Sequence, residues 1–315
     1  MFVPGITKSS SSSTKLERRK GGGGGGRGGG GGRGGGSSGL GKSSGSSKGG
    51  SGSSVKSRPI TSSGGLSFGG KSRSASAYGA GGGAASAIPA GMPFAGRLAG
   101  GGARGQIFGT RTYGSGYGSA YTNRGVSGRP FPFYFWPIVW GGATFLVVDS
   151  YLDARAEYGD VNNSTRPGGP VSVAIFSSPS VNSTFRVVAD NDTITSLVSD
   201  LSANCSSKFS TNPVPTSTPL DPNATMPRPE QVIQYYRASS ISLTLDGYNN
   251  SATYAAESTP DSPLPSNVDA ALLACLNETI GLAAPLIDSG MALWTPSYIN
   301  LFGLVWMLWA FLKLS

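Results

Sequence analysis

The chain has 315 residues, with 25 Lys and Arg against 16 Asp and Glu, a net charge of +9, 50 glycines, two cysteines and no histidine. Without histidine, Ser-His-Asp and Cys-His catalysis and histidine-based zinc sites are excluded. The charge is unevenly laid out: residues 1–129 hold 41 of the glycines and 18 of the basic residues but a single acid, Glu17, so the net charge is +17 there and −8 in the remainder.

In residues 1–129 Gly, Ser and charge dominate and apolar residues stand alone. Such a segment cannot bury enough surface to offset the entropy of ordering, so it is expected to be a disordered, basic Gly/Ser-rich arm. Its first twenty residues, MFVPGITKSSSSSTKLERRK, lack the apolar stretch of a secretory signal. Targeting then falls to a later segment, or the native start lies elsewhere. The run LERRK (Leu16 to Lys20) reads as a solvated charge cluster, and as a dibasic processing site if the arm is extracellular. Two matches to G-x-x-x-x-G-K-[ST], Gly36 to Ser43 and Gly65 to Ser72, lack the preceding strand and following helix that make a phosphate loop. The tract Gly21 to Gly36 holds only Arg27 and Arg33 and no interleaved aromatic, so a flexible basic linker is a more economical reading than RNA binding. Acidic lipid or acidic cell-wall polymers are the partners its charge suits.

Pro130 to Val148 is nineteen residues without a charge, about 28 Å if helical and just enough to span a bilayer. Pro137 is the difficulty, because inside a helix it removes a hydrogen bond and clashes one turn back. The crowd of Phe131, Phe133, Tyr134, Phe135, Trp136 and Trp140 fits an interfacial belt, or an aromatic segment packed against a folded domain. Arg111, Arg124 and Arg129 precede it, and Asp149, Asp153, Glu157 and Asp160 follow. If it spans, the basic half stays in the cytosol.

Residues 149–290 have the composition of a folded unit. Asn-x-Ser/Thr acceptors occur at Asn162, Asn163, Asn182, Asn191, Asn204, Asn223, Asn249 and Asn277, eight where chance would give about three. That density points to the lumen of the secretory pathway. Cys205 and Cys275 fall in the same region and would pair in an oxidising compartment. Val171 to Phe176, Thr184 to Ala189 and Ser240 to Tyr248 read as strands. Asp190 or Asp192 caps a helix with apolar positions Ile194, Leu197, Val198 and Leu201. Pro229 to Ala238 begins as helices do, and Ser266 to Asp269 has capping-box character before a helix that carries Cys275. The expectation is an α+β domain whose disulfide joins two helices over a small sheet. No pair of carboxylates stands out for acid/base work, and no cofactor or metal motif survives, so a non-enzymatic protein is expected.

The C-terminal stretch Tyr298 to Ser315 is a second apolar segment. Counted from Met291 it is long enough to span. It also fits a lipid-anchor signal, with Asp288 as attachment residue, Met291 to Tyr298 as spacer and the rest as hydrophobic tail.

The Arg/Gly/Ser-rich lead together with FPFYFWPIVWGG, RPGGP, TFRVVADNDTITSL, PEQVIQYYRASS, LTLDGYNNSA and CLNETIG resembles a group of fungal proteins over residues 105–290. The resemblance implies a membrane or cell-surface glycoprotein and no activity. The expectation is thus a membrane-attached glycoprotein of the surface or secretory pathway. The alternatives are a lipid-anchored cell-wall protein with the arm as a stalk, and an RNA-binding protein acting through the Arg/Gly tract.

Overall fold

The computed structural model describes residues 59–61, 67–68, 71–72, 74–117, 124–140, 151–152, 155–256 and 258–287, all within the unit Gly52–Ser315. Its centre is a five-stranded antiparallel sheet of β7 (Val171–Ser177), β8 (Thr184–Asp190), β9 (Thr218–Pro219), β10 (Val232–Tyr236) and β11 (Ile241–Leu245), in the order β10-β11-β8-β7-β9. Register sets Phe176 beside Phe185 and Phe185 beside Leu245, with Ala174, Val187 and Leu243 in the next row of the same face. All six are buried, so period-2 alternation gives this face its apolar surface. Helix α2 (Asn191–Cys205) packs on β7 and β8, and α3 (Ala270–Ala283) packs on α2. Phe209, just past α2, meets Phe176 edge to face at 5.2 Å. The chain is therefore α+β, and a Cys205–Cys275 disulfide with Cα atoms 6.0 Å apart joins the two helices.

Asp190 caps α2 by accepting the Thr193 N–H, as the sequence suggested. The expected helix over Pro229 to Ala238 is instead a short 3-10 turn, Pro229–Gln231, followed by β10. Val232, Ile233, Tyr235 and Tyr236 are β-branched or aromatic and all buried, and this outweighs the helix-start signal of Pro229 and Glu230.

The largest departure concerns the arm. Residues 75–117 and 124–129 contribute to the core through Ala75, Ala77, Ile88, Ala99, Ile107, Tyr113 and Val126. They do so with little regular structure. Short strands β1 (Pro59–Thr61), β2 (Ser67–Phe68), β3 (Lys71–Ser72), β4 (Ser74–Ser76), β5 (Ser86–Ala87) and β6 (Leu98–Ala99) precede the single helical turn α1 (Arg155–Tyr158). Strand β4 pairs with β1 and with the last strand, β12 (Leu286–Ile287), so the arm and the end of the domain share a sheet. Residues Ile107 to Thr110 lie along the edge of β10. There Gly109 N donates to Tyr235 O, Tyr235 N to Thr110 O and Arg237 N to Ile107 O. Isolated apolar residues that cannot form a core alone complete another one when backbone pairing docks them on it.

The expected span over Pro130–Val148 fails in its described half. Residues 131–140 are non-helical and buried apart from a half-exposed Pro132. Phe131 N donates to Leu98 O, Ile138 N to Ser239 O and Trp140 N to Leu152 O, all bonds between distant segments. Pro130, Pro132 and Pro137 have no N–H to lose in such a path, which is why it suits them better than a helix. Among the described residues no helix is long and apolar enough to cross a membrane. Residues 141–148, the two arm motifs around Arg27, Arg33 and Gly36, and the tail 291–315 lie outside the described residues.

Candidate functional site

The motifs singled out in the sequence converge on one buried point. Between β10 and β11 the chain turns through Arg237, Ala238 and Ser239, whose φ angles of 51°, 52° and 61° are left-handed. Non-glycine residues held there cost on the order of 1–3 kcal/mol each, so the surroundings must impose the turn. Here they do: Ser239 Oγ accepts the Gly114 N–H at 2.6 Å and its carbonyl accepts Ile138 N–H at 2.8 Å. Gly116, at φ +79°, passes so close that a Cβ would lie 2.8 Å from Arg237 N. Arg237 is fully buried. It donates to Asp190 Oδ2 at 3.0 Å, Thr193 Oγ1 at 3.1 Å, Ser240 Oγ at 2.6 Å and Pro285 O at 2.7 Å. The Phe135 ring lies 3.6 Å from its guanidinium carbon.

Burial works against both charges of this pair and their contact works for both. Desolvation draws Arg237 down to about 10, opposed by Asp190. Desolvation raises Asp190, opposed by Arg237 and by the Thr193 bonds. Two direct bonds to Arg237 and Thr193 Oγ1, with the Thr193 N–H, satisfy the carboxylate. The motif RPGGP supplies the neighbouring wall. Arg166 donates to Tyr158 O and, at 2.8 Å, to Pro137 O. Gly168 sits at φ +85°, where a Cβ would be 2.0 Å from Asp190 Oδ1. This centre is closed to solvent. It fixes the arm, the sheet, the start of α2 and the approach to β12 relative to one another, and offers no surface to a ligand. The sequence narrows the cap to Asp190 or Asp192, of which Asp190 is the one used, and does not reveal its partner; an arginine set among Tyr235, Tyr236 and Ala238 is the available signal.

The accessible features are elsewhere. A surface cavity of about 350 Å3 is lined by Met226, Arg228, Glu230, Gln231, Tyr248 and Asn249, with Thr225 and Gly247. Its walls are tied in place. Tyr248 donates its hydroxyl to Ser262 O at 2.6 Å, and the Arg111 guanidinium covers its ring at 5.4 Å. Gln231 accepts the Arg228 N–H at 2.9 Å, and Glu230 accepts the Tyr254 hydroxyl at 2.6 Å. Burial and then Glu230 push the Tyr254 hydroxyl well up.

None of the eight acceptor asparagines is buried. Asn162, Asn182, Asn223 and Asn249 are exposed, while Asn163, Asn191, Asn204 and Asn277 are half-buried. The half-buried ones differ in which amide atom they use. Asn277 Oδ1 accepts the Tyr236 hydroxyl at 2.7 Å, Asn191 Oδ1 accepts Ser217 Oγ at 3.0 Å, and Asn163 Oδ1 accepts the N–H and hydroxyl of Thr165. Asn204 instead spends its Nδ2 on Asp200 O at 2.8 Å. Asn250, which is not in an acceptor motif, is 1% exposed. Asp288, the expected lipid-attachment residue, lies outside the described residues.

Among the described residues no cluster of three His, Cys, Asp or Glu could hold a metal ion. No protein-family model, curated protein or solved structure matches the chain.

Proposed function

We propose that this chain is a non-enzymatic, N-glycosylated protein of the cell surface or secretory pathway, held to the membrane by its C-terminal apolar segment. The observation that carries the reading is that none of the eight acceptor asparagines is buried, four being exposed and four half-buried, on a disulfide-linked domain. The disulfide fits an oxidising compartment.

The arm supports one topology. Described residues of 75–117, 124–140, 171–256 and 258–287 share one core, so a bilayer cannot separate them. If the acceptor sites face the lumen, the arm from residue 75 does too, and the arrangement with a cytosolic basic half gives way to one with the described chain on a single side. Attachment then rests on residues 291–315, as a span or as a signal exchanged for a lipid at Asp288. Outside the cell, the basic lead would meet acidic wall polymers or acidic headgroups.

Protease protection on intact vesicles tests this, with an epitope inserted after Gly82 and a glycosidase shift read in the same gel. The expected result is a shifted band with the epitope and the domain protected together. An unshifted band, or an epitope digested while the domain survives, would overturn the reading. Release by a phosphatidylinositol-specific phospholipase would identify the lipid anchor, and retention the span.

A further inference from the structure

We propose that the cavity beside Asn249 is the seat of the first sugar of a glycan carried on Asn249 itself, so that this glycan is a structural part of the domain while others are only surface decoration. The proposal rests on the glycoprotein reading above and names what one of its sites is for.

Two adjacent asparagines make the argument. Asn250 is buried and spends both amide atoms: Nδ2 donates to Asp261 Oδ1 at 2.7 Å, and Oδ1 accepts Ser262 N–H at 3.0 Å and Ala252 N–H at 3.2 Å. Asn249 is exposed, stands first in the acceptor motif Asn249-Asn250-Ser251, and lines the cavity. The bonds of Asn250 fix the backbone on which Asn249 is carried, so the amide nitrogen that would bear the sugar is held at the cavity wall.

The cavity suits that occupant in size and chemistry. Its volume of about 350 Å3 falls in the ~300–1,000 Å3 range of small-molecule sites. Met226, 39% exposed, offers apolar surface to the C–H face of a pyranose; Tyr248, 4% exposed, borders the cavity with little surface of its own. Arg228 and Glu230, whose nitrogen and oxygen stand 3.7 Å apart, offer donors and acceptors to its hydroxyls and acetamide. Arg228 is 45% exposed along its side chain, so its guanidinium meets a sugar with little reordering of the wall. Tethering does the rest. A sugar bonded to the cavity wall has a high effective concentration there, and contacts too weak to hold it free in solution suffice. Asn182, by contrast, lies in the tight turn between β7 and β8 and does not line this cavity.

The test uses the full chain made in a glycosylating eukaryotic host, with site occupancy read by glycopeptide mass spectrometry and stability by thermal melting. Asn249→Gln is expected to lower Tm by about 2–4 °C, and Asn182→Gln by less than about 1 °C. Trimming the wild type with an endoglycosidase that leaves one N-acetylglucosamine should preserve the difference, because the first ring is the one seated. Met226→Ala should reduce the Asn249 effect, read as a double-mutant cycle. The same Asn249→Gln change in protein made without glycosylation should leave Tm unchanged. A fall there would assign the effect to the amide side chain and overturn the proposal. So would equal effects at Asn249 and Asn182, loss of the difference on trimming, or an empty Asn249 on a chain glycosylated elsewhere. A chain with no glycan on any acceptor would instead remove the reading beneath it.

Discussion

Residues 75–117 and 124–140 on one side, and residues 171–245 on the other, contribute to one core by opposite means. The second stretch follows the familiar route: seven-residue strands β7 and β8 alternate, pair over their full length and bury one apolar face under α2. The first has strands of two or three residues and sharp left-handed glycines, yet it buries Ile107, Tyr113, Phe131, Tyr134 and Trp136. Many of its backbone bonds close loops within the stretch, such as Gly82 N to Gly102 O and Phe131 N to Leu98 O, and others go outward, to Tyr235, Arg237, Ser239 and Leu152. Composition measures whether a segment can bury itself. It does not measure whether the segment can finish a core begun elsewhere. The arm is the second case, and it is held where the sheet needs help most, at the left-handed turn after β10.

The severest way to break this comparison is to remove Arg237, where the two regions meet. Arg237→Ala leaves Asp190 buried without its cation, which costs about 3–5 kcal/mol. That is a large share of the 5–15 kcal/mol that holds a typical domain. Hydrogen exchange should show the Gly114 and Ile138 amides losing protection together with those of β7 and β8. Loss of protection in the arm alone would mean that it docks on a sheet that is stable without it. Next in size is the disulfide. Cys205→Ser with Cys275→Ser opens a loop of 70 residues and should cost about 4 kcal/mol in the chain-entropy model, read as a lower urea midpoint with a steeper slope, because the unlinked denatured chain exposes more surface. An unchanged midpoint would show that the link adds nothing to the stability of the core.

Much of the second region was legible. Alternation located β7, β8 and β11, the Asp190 cap located α2, and the two cysteines pair as expected. β10 departs from the expectation because Pro229 and Glu230 look like a helix start, while the edge pairing with Ile107 to Thr110 that favours a strand comes from a segment more than a hundred residues earlier. The same non-locality hid the role of residues 131–140: Pro137 argued against a span, but nothing local says which carbonyls and amides its neighbours will bond. The acceptor asparagines could be found from the motif alone. Which of them borders a cavity depends on the loop 225–231 meeting the turn after β11, and no pattern in either stretch states it.

The mildest perturbation sharpens the comparison from the helical side. Asp269 caps α3 by accepting the Leu272 N–H at 2.9 Å and the Ala271 N–H at 3.1 Å, and accepts the Ser178 hydroxyl at 2.6 Å. The Ser178 bond first, and the Leu272 N–H next, hold its carboxyl below the usual range. A carboxylate depressed in the folded state stabilises fully above its unfolded pKa, about 3.9, and that contribution disappears as pH falls through the lower folded value. Asp269→Ala should therefore cost about 1 kcal/mol at pH 7 and progressively less below about pH 4. Asp190 must behave in the opposite sense. Desolvation raises its folded pKa, opposed by Arg237, so the folded state binds the proton before the unfolded chain does and the pH dependence from this group has the opposite sign. A urea titration of Asp269→Ala and wild type from pH 7 to pH 3 checks this: the two curves should converge in acid. Parallel curves would mean that the cap acts through its shape and not its charge.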